Sequence, residues 1–153
     1  PNNLFGENDN YDLENSHVIP AIMRKMHEAK LSNERVVLWG DGSPMREFTY
    51  SKDLASILLF LLENYDDPEP INVGNTKECT IREVAEMIAE IVGFTGEIIW
   101  DISKPMGQHR KPSDNSKLTA LGWGRKNYTD LRKSLTETYK WVILNYPHLR
   151  GIV

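Results

Sequence analysis

Helical and extended patterns alternate along this chain, and that alternation restricts it to mixed α/β architectures. Val36-Val37-Leu38-Trp39 reads as a strand followed by the turn Gly40-Asp41-Gly42-Ser43-Pro44, and Arg46 to Tyr50 reads as a further short extended segment. Ile71 to Gly74 and Glu97 to Trp100 complete the expected strands. Between them lie helical stretches. Ser16 is the expected N-cap of a helix from His17 to about Lys30, with Val18, Ile22, Met26 and Ala29 on one apolar stripe and Pro20 harmless in the first turn. Ser51 is expected to cap a second helix reaching about Asn64, with Asp53 at its positive end; from Leu54 to Leu62 it is apolar nearly all round, which predicts burial.

Thr80 and Glu83 form a capping-box signature for a helix that Gly93 ends, with Ile81, Val84, Ala85, Ile88 and Val92 facing inward. After a polar loop from Asp101 to Ser113, a short helix is expected over Ser116 to Leu121. A last helix begins near Thr129 and buries Leu131, Leu135, Tyr139, Val142 and Ile143.

Composition removes several classes of function. The chain has 153 residues, enough to bury roughly two-thirds of its unfolded surface in one core. Its longest strictly apolar run is Ile57 to Leu62, far short of the ~20 residues of a membrane helix. A net charge of −4 without a basic cluster argues against nucleic acid as a partner. Cys79 is the single cysteine, so neither an intrachain disulfide nor a cysteine-rich metal site is expected, and the chain reads as cytoplasmic, with no metal. Dinucleotide G-x-G-x-x-G and phosphate-loop signatures do not occur. The opening Pro1-Asn2-Asn3-Leu4-Phe5-Gly6 reads as the end of a strand running into a glycine turn, as in a piece of a longer protein.

Three stretches carry a resemblance. Pro1-Asn2-Asn3-Leu4-Phe5-Gly6, Trp39-Gly40-Asp41-Gly42-Ser43-Pro44-Met45-Arg46-Glu47-Phe48 and Ile71-Asn72-Val73-Gly74 resemble, in order and spacing, segments of the extended short-chain dehydrogenases/reductases that act on nucleotide sugars. His17-Val18-Ile19-Pro20-Ala21, Cys79-Thr80-Ile81-Arg82-Glu83, Ser103-Lys104-Pro105-Met106-Gly107 and Leu121-Gly122-Trp123 are similar to the GDP-L-fucose synthase branch. The resemblance implies the C-terminal, substrate-binding part of such an enzyme, with the Rossmann part, the catalytic Ser, Tyr and Lys and an acid/base cysteine upstream. Residues 1–153 would form the substrate-binding domain, with 1–16 and about 51–75 packing against the missing Rossmann domain.

The implied activity is NADP(H)-dependent: epimerisation of GDP-4-keto-6-deoxy-D-mannose at C3 and C5, then reduction at C4, by a parent enzyme that is a homodimer. His17 would be the general acid, since imidazole straddles neutral pH, and would also lie beside the cofactor. Pro1, Asn2, Asn3 and Leu4 would line the nicotinamide side. Arg46 would grip the GDP-sugar diphosphate through its guanidinium fork, with an edge arginine paired to Glu47 as the bland alternative. Trp39 would meet guanine or sugar, or simply pack. Lys25, about two helical turns beyond His17, would reach substrate or lie solvated. Lys104, Arg110 and Lys111 would form a positive clamp, or a solvated loop.

Asp53 and Glu83 read as helix-cap residues, Cys79 as structural, and His27, His109 and His148 as ordinary exposed residues. Asn2 and Glu7 depart from the family pattern peripherally. Met106 stands where an aspartate is expected, which bears on sugar specificity. The alternatives are another nucleotide-sugar epimerase or dehydratase of the extended reductases, or a sugar-nucleotide-binding module without catalysis.

Overall fold

The computed structural model describes residues 1–152. Its elements are β1 (Asn3–Phe5), α1 (Val18–Ser32), β2 (Val36–Trp39), β3 (Met45–Tyr50), α2 (Ser51–Asn64), β4 (Glu78–Thr80), α3 (Ile81–Val92), β5 (Ile98–Asp101), α4 (Ser116–Ala120), a 3₁₀ turn (Arg125–Asn127) and α5 (Leu131–Asn145). Two small sheets result. β1 and β3 run parallel, Asn3 opposite Phe48, and β4 adds antiparallel to the start of β3, with Arg46 opposite Cys79. β2 and β5 pair in parallel, Val36 opposite Ile98.

The best-defined helix end is the one whose chemistry is most legible. Thr80 Oγ1 accepts from the Glu83 amide at 3.1 Å, and Glu83 Oε2 accepts from the Thr80 amide at 2.7 Å. At its far end Gly93 takes φ 69°, a left-handed conformation that glycine adopts without steric cost. Val84, Ala85, Ile88 and Val92 are buried, and α3 packs between α1 and α5 around the main core of Phe5, Tyr11, Met23, Met26, Leu135 and Val142. A smaller cluster gathers Ile57, Val73 and Leu118 with Phe60, Trp123 and Tyr128.

Several expectations need correction. His17, not Ser16, occupies the N-cap of α1, and it makes no side-chain cap bond. Tyr50, not Ser51, precedes α2. Asp53 does not cap: its carboxylate accepts from the Thr129 amide and hydroxyl at 2.8 and 2.7 Å, tying α2 to the approach to α5. Ile71 to Gly74 is not a strand; one backbone bond, Asn2 N–H to the Val73 carbonyl, ties it beside β1. β4 went unforeseen because its three residues are extended only through pairing with β3.

Helix α2 is not well buried: Leu58, Leu59 and Leu62 are exposed and only Asp53 and Ile57 are enclosed. All-round apolarity reports what a helix would prefer to have around it, and nothing among the described residues covers this face. Val18 and Ile143 are exposed, while Ile19, Pro20 and Met23 are buried. His27 is also buried, with Nδ1 3.0 Å from the Tyr139 hydroxyl. No helix among the described residues is long and apolar enough to cross a membrane.

Candidate functional site

Strand alternation organises the site. Along β3, successive side chains face opposite ways, so Arg46 and Phe48 share one face while Glu47 and Thr49 share the other. On the first face, Arg46 and Phe48 join Asn3 and Leu4 of the parallel neighbour β1 and the segment Ser16 to Ile19 around a pocket of about 230 Å³. His17 therefore stands over the same opening as Arg46, exposed at the start of α1. Arg46 does not pair with Glu47; its Nη1 donates to its neighbour's carbonyl, Met45 O, at 2.7 Å.

A second pocket of about 150 Å³ shares Ser16 and Val18 with the first. Its walls are apolar, including Ile22, Leu38, Ile81 and Trp100, with Lys25 and Trp39 at hand. Trp39 is 55% exposed, and two ammonium groups approach the centre of its ring, Lys25 Nζ at 5.9 Å and Lys104 Nζ at 5.7 Å. Lys25 Nζ also donates to the Val37 carbonyl at 3.0 Å, and burial holds its pKa below the ordinary lysine value. An exposed aromatic flanked by cations beside an apolar slot suits a planar, anionic ligand such as a nucleotide. Met106 lies against the turn after Trp39, where Gly40 has no Cβ to obstruct it.

Other site residues expected from sequence lie apart. The Asn2 side chain faces away from the pocket, donating to Glu47 Oε2 and the Asn75 carbonyl and accepting from Thr49 Oγ1. Asn3 Nδ2 donates to the Glu47 carbonyl at 2.8 Å, while its residue still lines the opening. Pro1 is exposed and lines neither pocket. Arg110 is not a free member of a positive clamp: its fork grips the Glu78 carboxylate, with Nε 2.8 and 2.9 Å from the two oxygens, and holds that carboxyl below its usual range. Lys111 is exposed and lines neither pocket.

Sequence reasoning passed over three residues here. The Ser16 hydroxyl is buried and has no hydrogen-bond partner among the described residues, at the wall common to both pockets. Burial pushes the Asp9 carboxyl up, opposed first by the hydrogen bond it accepts from the Asn10 amide at 2.7 Å. Glu47, 2% exposed, is the third. A Ser just before a helix reads as a cap, a Glu beside an Arg reads as its partner, and an Asp in a polar run reads as loop, so none of the three carried a local signal. Cys79, by contrast, is structural as read: burial pushes its thiol up to about 11, and Sγ sits 3.8 Å from the Arg46 carbonyl.

The model of the NAD dependent epimerase/dehydratase family matches residues 1–74. That stretch holds the parallel pair β1 and β3, so this half of the chain is not assigned to a C-terminal substrate portion alone. GDP-L-fucose synthase 1 of Arabidopsis thaliana is 51% identical over 146 residues, 95% of this chain and 45% of its own length. GDP-L-fucose synthase of Escherichia coli (strain K12) is 42% identical over 161 residues, 99% of this chain and 50% of its own length. The crystal structure of a GDP-L-fucose synthetase from Naegleria fowleri bound to NADP superposes with a TM-score of 0.92 at 37% identity, covering 97% of this chain and 46% of that one. The chain thus spans about half the length of the relatives it matches. Over that span, the chain is homologous to GDP-L-fucose synthases in sequence and in its mixed α/β fold.

Proposed function

We propose that this chain is the substrate-binding, C-terminal portion of a cytoplasmic, NADP-dependent, homodimeric GDP-L-fucose synthase, with the N-terminal Rossmann part outside it. The whole enzyme would epimerise GDP-4-keto-6-deoxy-D-mannose at C3 and C5 and reduce C4. The observation that carries this reading is the shared opening of His17, Arg46, Asn3 and Leu4, adjoining across Ser16 and Val18 the slot of Lys25 and Trp39. Its polarity matches the ligand: an apolar slot with an exposed indole for the base, a guanidinium for the diphosphate, and a titratable imidazole for the sugar.

The chemistry asks for an acid at this place. A 4-keto group acidifies the protons on C3 and C5; a base removes one, giving an enolate, and an acid on the opposite face returns a proton to the same carbon and inverts it. His17, exposed over the opening, holds that second proton on its imidazole. Arg46 holds the diphosphate and thereby sets the distance from sugar to imidazole. NADPH, when bound, supplies the hydride for C4. The residues near β1 suit only its nicotinamide end: Asn3 and Leu4 offer a strand terminus and an apolar wall, and no cationic side chain lies among Pro1 to Leu4 for its phosphates.

Calorimetric titration of the full-length enzyme with GDP, UDP and dTDP tests the reading. Preference for GDP, weakened by Arg46→Ala, supports it. Preference for UDP or dTDP moves the chain to another extended epimerase or dehydratase.

A further inference from the structure

The face of β3 turned away from the pocket holds a closed polar network around one buried carboxylate. Glu47, 2% exposed, accepts from Asn2 Nδ2 at 3.1 Å, from the Ser113 amide at 3.1 and 3.2 Å, and from the Ser113 hydroxyl. Asn2 is held in turn by Thr49, whose Oγ1 donates to Asn2 Oδ1 at 2.6 Å and accepts from the Asn75 amide at 2.7 Å. Asn115 Nδ2 donates to Ser113 Oγ at 2.9 Å, so the far end of the loop is also fixed. A buried carboxylate is costly unless its lone pairs are taken up, and here donors from two distant segments take them up.

Those segments carry the candidate site. Asn2 leads into β1, which supplies Asn3 and Leu4; Ser113 ends the loop that follows β5 and carries Lys104; and Glu47 itself follows Arg46. The loop is also attached by a Met45 N–H to His109 carbonyl bond of 2.8 Å, by the Arg110–Glu78 pair at the surface, by Met106 against Gly40, and at its start by bonds from the Ser103 and Lys104 amides to Asp101. Of the loop's side-chain anchors, the one on Glu47 is the more enclosed, because Arg110 is exposed.

We propose that Glu47 is a positioning residue: its carboxylate latches the loop 102–112 to the ends of β1 and β3, keeping Lys104 over Trp39 and Arg46 aimed into the pocket. It touches no ligand itself. What the loop then grips rests on the GDP-sugar reading above; the latch does not.

The test compares full-length Glu47→Gln and Ser113→Ala enzymes with the wild type. Glu47→Gln replaces one acceptor oxygen by an amide donor facing other donors, and Ser113→Ala removes one hydroxyl while leaving the carboxylate in place. Amide hydrogen exchange across 102–112, without ligand, is expected to quicken in both. KM for the GDP-sugar is expected to rise about tenfold in Glu47→Gln, the scale of one charge-assisted hydrogen bond, and about threefold in Ser113→Ala, with kcat within about threefold of wild type. Unchanged loop exchange in both variants overturns the latch. Quickened exchange with unchanged KM overturns the positioning role. If Glu47→Gln does not fold, Ser113→Ala decides. If the wild type does not turn over GDP-sugar, the substrate reading falls, and loop exchange alone judges the latch.

Discussion

Arg46 and Glu47 are neighbours on β3 with opposite duties: the guanidinium lines the open pocket while the carboxylate is sealed into a network with Asn2 and Ser113. Because no carboxylate among the described residues holds Arg46, its replacement should affect ligand more than fold. Arg46→Lys keeps the charge but not the fork that matches two phosphate oxygens. We expect it to weaken GDP binding by about 1.5–3 kcal/mol, with a thermal midpoint near wild type. Calorimetry alongside thermal unfolding separates the two effects; a Lys variant that binds as the wild type does removes the diphosphate contact.

Stability at mildly acidic pH should depend on His27. Burial holds its imidazole below the ordinary value of 6.5, with the Glu28 charge opposing and that of Lys30 assisting. The unfolded chain returns it to 6.5, so between the folded and unfolded values the unfolded state binds the extra proton. The neutral histidine's contribution is present above that unfolded value and is lost as pH falls through the depressed folded value. Thermal midpoints measured from about pH 7.5 down to about 5 should fall less steeply for His27→Phe than for the wild type; parallel curves contradict this account.

The two bonds from Thr129 to Asp53 predict a tertiary role for a residue that resembles a helix-end acid. Asp53→Ala leaves the Thr129 amide and hydroxyl without their partner, at a cost of about 2 kcal/mol or several degrees in Tm. A mere charge at a helix N-terminus would cost about 0.3–1 kcal/mol. Denaturant unfolding distinguishes the two magnitudes.

Helix α3 was legible because its signals are local. Thr80, Glu83 and Gly93 lie within the helix ends they define, and Val84, Ala85, Ile88 and Val92 repeat at helical spacing. Motif resemblance singled out residues that lie near one another, since His17, Arg46 and Asn3 line one pocket and Lys25 and Trp39 line the one beside it. What escaped depends on contacts between distant segments. β4 exists through its partner, His27 is buried because α5 brings Tyr139 to it, and Asn2 turns from the pocket because Glu47 and Thr49 lie behind it. Arg110 counted as a free cation until Glu78 came within reach across the chain. Periodicity could not say that Leu58, Leu59 and Leu62 stay uncovered, because it describes a helix and not its neighbours.

Ser16 offers a sharper probe of the pocket. Removing a buried, unpaired hydroxyl is nearly neutral for stability, so Ser16→Ala should unfold at or slightly above the wild-type temperature. Its GDP-sugar KM should rise several-fold if that hydroxyl turns to ligand, which steady-state kinetics reads directly; an unchanged KM makes Ser16 a bystander.

The most direct test of the central claim is proton exchange at the sugar. Full-length enzyme is incubated with GDP-4-keto-6-deoxy-D-mannose in D₂O without NADPH, and deuterium at C3 and C5 is followed by NMR. The wild type should wash deuterium into both carbons with inversion. His17→Asn should slow inversion by about 10²–10⁴-fold while binding GDP as tightly as before. Wild-type inversion by the His17 variant would contradict the assignment of the acid, and with it the account of this pocket as an epimerase site.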